Sequence, residues 1–415
     1  MHEARSQHGT SSQQSDGGQG PQRRAAVVNR TKDRYEQKLR RLTAPPKEDP
    51  SWEKFGPMRW DEFHSLETSD RLPLFSRNSL MFDCLFSQQF DRALLDRIAE
   101  LADTLRAITK TEDGKDFVKA LLRHKRAMLY FSQPSTRTFL SFQNACHILG
   151  MKTSEVRDIS TSSEKKGETP EDSMRTFSSY VHLIIMRQPV ADFAEKTAWL
   201  LNSQSNRPVP VINGGSGKDQ HPTQALLDVY TIGRYLEGGV DGKHIVMVGD
   251  LKRGRTVRSL SYLMKNYDGV RLTYVSPPEF RMEKDILEFL SRHGIPYTET
   301  EDFESAIKEA DAVYMTRIQD EHDKGGESAK VDYSRFNFTP AHLSMIKPTC
   351  VIMHPLPRRQ EIHIDVDRDE RAVYWRQERN GMWTRAALIA HIMGAGDSIL
   401  DYEAPHAHFC PGKHD

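Results

Sequence analysis

The sequence predicts an α/β protein built from two doubly wound parallel-sheet domains. Three observations carry that expectation. Short apolar runs of strand length alternate with helical stretches from about residue 126 onward, the pattern of parallel sheets covered on both faces. Clusters of Arg, His, Ser and Thr fall where an apolar run stops or the next helix starts, which is where such sheets hold ligands. A length of 415 residues accommodates two ordinary domains and a tail.

The elements follow in order. Residues 1–50 are rich in Gln, Ser, Gly, Arg and Lys and have no long apolar run. They predict a disordered N-terminal extension, neither signal peptide nor membrane span, with room for a short charged helix at 30–42. A first domain is expected over 75–236, with strands at 127–131, 182–186 and 209–212 and helices at 138–149, 170–180 and 222–236. Pro170 and Pro222 suit a first helical turn, where the missing N–H costs nothing. Glu237-Gly238-Gly239 breaks the pattern, so a second domain is expected over 237–380. Its strands are 245–248, 272–275, 312–315 and 351–353; its helices are 256–266, 282–293 and 303–309. A last helix spans 383–400, and 404–415 form a loose tail.

Composition narrows the function. Lys plus Arg and Asp plus Glu number 58 each, so net charge is zero and nothing global argues for nucleic acid or membrane. The four cysteines, Cys84, Cys146, Cys350 and Cys410, are widely spaced with no Cys-x-x-Cys. That usage predicts no metal site and reduced thiols in the cytoplasm. No Walker A or Gly-x-Gly-x-x-Gly fingerprint stands in the right context.

The polar clusters carry the chemistry. Ser135-Thr136-Arg137-Thr138 follows the apolar run 127–131 and opens a helix. Hydroxyls, a guanidinium, unpaired N–H groups and the positive end of a helix dipole suit a phosphate dianion. Alone, the segment fits an N-cap with an incidental arginine equally well. His221-Pro222-Thr223-Gln224 opens a second helix, and His354-Pro355-Leu356-Pro357-Arg358 follows strand 351–353. The two prolines fix the backbone carbonyls of that last loop.

These three clusters in this order resemble the aspartate carbamoyltransferase family. Lys165-Lys166-Gly167-Glu168, Met186-Arg187, the turn 248–257 and Tyr314-Met315-Thr316-Arg317-Ile318-Gln319 extend the resemblance over 88–400. Ornithine-using relatives typically have Cys within the second His-Pro motif and before the Leu-Pro of the third loop; here Thr223 and His354-Pro355 stand there. The resemblance implies transfer of a carbamoyl group from carbamoyl phosphate to L-aspartate, without cofactor or metal. It implies a first domain for carbamoyl phosphate, a second for aspartate, and a last helix that returns to the first.

It also implies the roles. Ser135, Thr136, Arg137 and Thr138 hold the phosphate, with Arg187 as a second guanidinium. His221, Thr138 and Arg187 polarise the carbamoyl oxygen. Gln224 and the carbonyls at Leu356 and Pro357 accept from the carbamoyl NH2. Arg255, Arg317, Gln319 and Leu356 bind aspartate. Ser162 and Lys166 lie in a polar loop, 158–167, that taken alone reads as exposed; in the family it enters the neighbouring subunit's site. A homotrimer with shared sites follows, with or without separate regulatory chains.

Three positions depart from the family. Gln133 stands where Glu is usual, His322 where Arg is usual, and Phe139 where Arg is usual. The first two belong to a link between the domains, so altered closure is expected. A transcarbamylase for another amino acid and a catalytically weak structural or regulatory paralogue are the alternatives. Arg255, Arg317 and Gln319 argue for a dicarboxylate and against the first; retention of Arg137, His221, Arg255 and Arg317 argues against the second, which the changes at Gln133 and His322 leave open.

Overall fold

The computed structural model describes residues 55, 58–78, 80–157, 167–204, 207–217, 220–319 and 332–403. All belong to one compact unit, Lys47–Asp415. The expectations for 1–50 and 404–415, and those for Ser162, Lys165, Lys166, His322 and Cys410, lie outside these residues.

Two short helices, α1 (Trp60–Ser65) and α2 (Thr68–Arg71), precede a two-stranded ribbon, β1 (Ser76–Arg77) and β2 (Leu80–Met81). Helices α3 (Arg92–Ile108) and α4 (Glu112–Leu121) follow. Asp91 caps α3 by accepting from the Leu94 N–H at 2.8 Å, and Thr111 caps α4 at Gly114.

The first sheet contains β3 (Arg126–Phe131), β4 (Lys152–Val156), β5 (Leu183–Arg187) and β6 (Val211–Asn213). It is wholly parallel, in the order β4-β3-β5-β6. Helices α5 (Thr136–Ile148), α6 (Pro170–Tyr180), α7 (Phe193–Ser203) and α8 (Pro222–Tyr235) connect or follow its strands. Every residue of β5 is buried, as a strand covered on both faces requires. Gly150 closes the turn after α5 at φ +79°, and a Cβ there would lie 1.8 Å from the Lys119 carbonyl oxygen. Only glycine fits both conditions.

The second sheet has β7 (His244–Val248), β8 (Arg271–Val275), β9 (Tyr297–Thr300), β10 (Ala312–Met315) and β11 (Val351–Met353). It too is parallel, in the order β11-β10-β7-β8-β9. Helices α9 (Arg255–Leu263), α10 (Lys284–Arg292) and α11 (Phe303–Lys308) serve it. One apolar core gathers Phe63, Tyr130, Trp199 and Leu201; another gathers Val246, Phe303, Val313 and Ile352. Helix α12 (Tyr374–Ile392) leaves the second sheet and packs against α3, α5 and α8, so the chain's end does return to the first domain.

Several boundaries differ from expectation. Helix α5 starts at Thr136, not residue 138, because the chain turns helical directly after Ser135. The expected helix 383–400 is two: α12 begins at Tyr374, and Gly394, at φ +72°, separates it from α13 (Gly396–Leu400). Strand 209–212 shifts to Val211–Asn213, where Cys84 hydrogen-bonds to Val211 and Asn213 and adds a rung beyond the strand. Strands β4 and β9 are additional edge strands, half polar and thus without a continuous apolar run.

Candidate active site

β3 and β5 run in register with Phe131 opposite Arg187, so the loop after β3 and the last residue of β5 open at one sheet edge. Ser135 is the extended N-cap of α5, yet its hydroxyl makes no capping bond. Ser135 therefore holds the cap position without spending its hydroxyl on the cap. Thr138, one turn into the helix, is buried. Arg137 is 43% accessible along its side chain, and its Nε lies 3.8 Å from Glu378 Oε1 on α12.

Arg187 and His221 are buried side by side. Gly215 makes this packing feasible. A Cβ there would lie 2.9 Å from Arg187 Nη1 and 3.0 Å from His221 Cδ2, and its φ of +108° is a glycine value. Arg187 Nη1 donates to the Gly214 carbonyl at 3.2 Å, while Arg187 Nε and His221 Nδ1 have no hydrogen-bond partner among the described residues. Orphaned polar atoms at depth are rare, and a polar group entering beside this pair would satisfy both. The His221 backbone N–H donates to Ser259 Oγ at 2.9 Å, fixing the start of α8 against α9.

The site is a knot of positive charge. Burial, then Arg255, Arg385 and Arg137, pulls Arg187 down to about 8. A guanidinium does not release its proton in proteins, so this pressure expresses a demand for an anion. Burial, then Arg255, Arg187 and Arg385, holds His221 well below the ordinary imidazole value, so the ring is neutral at pH 7. Arg385, fully buried on α12, is pulled down to about 10 chiefly by burial. It donates to Ser141 Oγ at 2.6 Å and stacks over Phe142.

Behind this knot sits Asp228, buried on α8. It accepts from Gln224 Nε2 at 3.0 Å, Gln377 Nε2 at 2.6 Å and the Tyr314 hydroxyl at 2.8 Å. Burial lifts its carboxyl to about 7 despite those donors. Gln377 Oε1 in turn accepts from the His354 backbone N–H at 3.0 Å. His354 Nδ1 accepts from the Leu356 N–H at 2.7 Å, so in the neutral ring Nε2 carries the proton and donates to Glu361 Oε1 at 2.8 Å. These bonds hold Leu356 at φ +50°, ahead of a cis Leu356–Pro357 bond. Arg358 is a structural member of the motif, paired with Asp367 and Tyr374.

The second sheet supplies the remaining candidates. Arg255 starts α9 and reaches the first domain, donating to the Gly217 carbonyl at 2.7 Å with Gln133 Oε1 at 3.5 Å. Arg317 follows β10 and donates to the Ile318 carbonyl at 2.9 Å. Arg137 and Arg317 both act on His354 as positive charges, after burial and the Glu361 pair. The Gln319 N–H is anchored on Asp250 at 3.2 Å, and Asp250 is locked by Arg253. Phe139 is core: it packs edge-on against Phe131, with the Arg157 guanidinium over its ring.

Arg187 thus packs beside His221 under the charge of Arg137, Arg255 and Arg385. Gln224 connects through Asp228 and Gln377 to His354 of the 354–357 loop, on which Arg137 and Arg317 act as positive charges. Thr138 is buried in the first turn of the helix that carries Arg137. Sequence reasoning missed Asp228, Glu378 and Arg385. Each is a charged residue at a core phase of a helix, a break in pattern that signals burial only once the helix is placed. No group of three or more His, Cys, Asp or Glu able to hold a metal occurs among the described residues.

Comparison with known proteins bears on this geometry. Residues 83–234 match the sequence model for the aspartate/ornithine carbamoyltransferase carbamoyl-P binding domain, and 241–392 match that for the Asp/Orn binding domain. Aspartate carbamoyltransferase 1, chloroplastic, of Pisum sativum is 40% identical over 76% of this chain and 80% of its own. The aspartate carbamoyltransferase catalytic subunit of Vibrio cholerae is 39% identical over 74% and 94%. A crystal structure of aspartate transcarbamoylase from Trypanosoma cruzi, in complex with N-(phosphonacetyl)-L-aspartic acid, superposes with a TM-score of 0.67. It is 34% identical and covers 75% of this chain and 96% of its own. The same organism's enzyme with carbamoyl aspartate and phosphate gives 0.67 at 33% identity, over 74% and 94%.

Proposed function

The chain belongs to the aspartate/ornithine carbamoyltransferase family, and we infer its chemistry from that premise. It transfers the carbamoyl group of carbamoyl phosphate to the amine of L-aspartate, giving N-carbamoyl-L-aspartate and phosphate in pyrimidine synthesis. The observation that carries the site assignment is the packing of Arg187 beside a buried, neutral His221, with Arg255 and Arg385 acting on both as positive charges and Arg137 acting on Arg187.

The residue roles follow from charge and position. Ser135, Thr136, Arg137 and Thr138 take the phosphate at the start of α5, where the helix dipole adds to the guanidinium. The aspartate amine attacks the carbamoyl carbon, negative charge grows on the carbamoyl oxygen, the C–O bond to phosphate breaks as charge returns, and the amine's surplus proton leaves on the departing phosphate. His221, kept neutral, donates from one ring nitrogen to that oxygen, with Thr138 and Arg187 beside it. Gln224 and the carbonyls of Leu356 and Pro357 accept from the carbamoyl NH2. Arg255, Arg317 and Gln319 receive the two carboxylates of aspartate, a pairing that suits guanidinium forks and repels ornithine. The first domain then serves carbamoyl phosphate and the second aspartate.

Two wider proposals complete the reading. The enzyme is a homotrimer in which Ser162 and Lys166 enter a neighbour's site; whether regulatory chains join it is a matter for purification. It works in the cytoplasm. Cys84, Cys146 and Cys350 are free and buried, which fits a reducing compartment. The pea relatives are named chloroplastic, so microscopy of the full chain fused to a fluorophore decides.

The test is direct. Purified full-length protein with carbamoyl phosphate should form carbamoyl product, measured colorimetrically, with aspartate and not with ornithine. Turnover with ornithine alone would overturn the substrate; turnover with neither would favour a silent paralogue.

A further inference from the structure

Glu378 has no part in the chemistry above, and its position is unusual. It lies on α12, partly buried, with its carboxylate 3.8 Å from Arg137 Nε, inside the region where a phosphate group would be held. A negative side chain beside a phosphate clamp opposes the ligand and attracts the clamp at once. We propose that Glu378 is a built-in counter-anion of the clamp: it holds Arg137 against α12 and competes with the phosphate group, setting how tightly carbamoyl phosphate and the phosphate product are retained. This rests on the carbamoyltransferase reading and deepens it.

The surroundings favour a competing rather than a supporting role. Arg385, on the same helix, and Arg137, on α5, act on Glu378 as positive charges. Asp228 on α8 and Tyr314 on β10 feel it as a negative one. Burial nonetheless raises its carboxyl above the ordinary range. Among these groups Arg137 alone reaches toward solvent, where a ligand enters. A dianion arriving at Arg137 takes over the attraction that Glu378 supplies. It also raises the negative charge around that carboxyl, so phosphate binding and Glu378 protonation support each other.

Glu378→Gln removes the charge and keeps the shape. Titrating inorganic phosphate into the full-length protein by calorimetry at pH 8 should show about tenfold tighter binding in Glu378→Gln than in the wild type. The KM for carbamoyl phosphate should fall with it, while half-saturation by aspartate moves less. The gap should narrow as pH falls from 8 to 5.5, because burial raises the Glu378 carboxyl and a protonated wild-type Glu378 resembles Gln. Glu378→Asp, which keeps the charge, should retain the wild-type pH dependence, and it serves as the test protein if the Gln variant melts early. Equal phosphate affinity at both pH values would overturn the proposal. Weaker binding in Glu378→Gln would overturn it too, making the residue a support that aims Arg137. Wild-type protein that binds no phosphate and turns over no aspartate would instead remove the activity on which the proposal rests.

Discussion

At pH 7 the His221 ring is uncharged, because it is buried among guanidiniums that resist a further positive charge. Its pKa is depressed, so protonation of this residue should not cut activity as pH falls through 6.5. The same guanidiniums make Arg137 the member most open to ligand. Arg137→Ala should lower kcat/KM for carbamoyl phosphate by on the order of 3 kcal/mol, since it removes a charged donor from a developing dianion. The melting temperature should barely change, because the Arg137–Glu378 pair spans 3.8 Å and is partly exposed, and such pairs add little to stability. Near-normal steady-state rates would take this motif out of the catalytic account. Gln133 offers a gain of function. Its Oε1 stands 3.5 Å from Arg255 Nη1, at the outer limit of a hydrogen bond. Gln133→Glu should convert that contact into a charge pair between the domains and lower the aspartate concentration for half-maximal rate. Carbamoyl phosphate affinity should move less. A loss of aspartate affinity would mean that Gln133 is a neutral latch, with His322 as its partner.

Helix α8 carries both His221 and Asp228, and its buried face ties the cleft to β10 and α12. The Asp228 carboxyl sits at about 7 when folded, against an ordinary value near 3.8. The folded protein thus keeps a proton that the unfolded chain releases. This group's stability contribution is fully present below about pH 3.8 and lost as pH rises through about 7. Asp228→Asn, which keeps an acceptor for the Gln224 and Gln377 amides, should flatten that dependence. Thermal unfolding at pH 5 and pH 8 should show the variant gaining a few kcal/mol relative to the wild type at the higher pH. A constant difference would mean that Asp228 is ionised throughout. The same helix shows what could be read from the chain. Pro222 and the apolar run behind it gave its start, and the Thr169-Pro170 cap gave α6 to the residue. Buried strands such as β10 and β11 were legible as uninterrupted apolar runs. Helices α3 and α4 escaped notice because Arg, Asp, Lys and Glu dilute their apolar stripes, and α7 because it is buried almost all round and shows no one-sided stripe. The break at Gly394 was hidden because glycine inside a helical pattern has two readings. Asp228 escaped because a carboxylate's burial depends on donors from its own helix, Gln224, and from two distant elements, Gln377 on α12 and Tyr314 on β10.

Two parallel sheets in one compact unit each contribute arginines to the charge cluster: Arg137 and Arg187 come from β3's following helix and the end of β5, and Arg255 and Arg317 follow β7 and β10. On the far side of the linker, Arg92 at the start of α3 pairs with Asp241 at 2.9 Å, reaches the Asn266 carbonyl and lies over the Tyr267 ring. That clasp ties the first domain to the second, away from the chemistry. If Lys166 completes a neighbour's site, Lys166→Ala and Arg137→Ala proteins should each be nearly inactive. Mixing and reassembling them should restore part of the activity, because a mixed trimer then contains one site with neither lesion. Mixed trimers that form and stay inactive would place each site within one chain. The arginine knot has one more consequence, for how long the molecule lasts. Guanidiniums that repel one another oppose folding, so any small anion that enters the cleft raises the unfolding free energy. The gain is about 2.7 kcal/mol at a hundred times its Kd. Melting curves in phosphate and in chloride therefore describe two differently loaded proteins. In a cell, survival against proteases then tracks the supply of phosphate compounds: a starved cell would hold the same chain in a more digestible form.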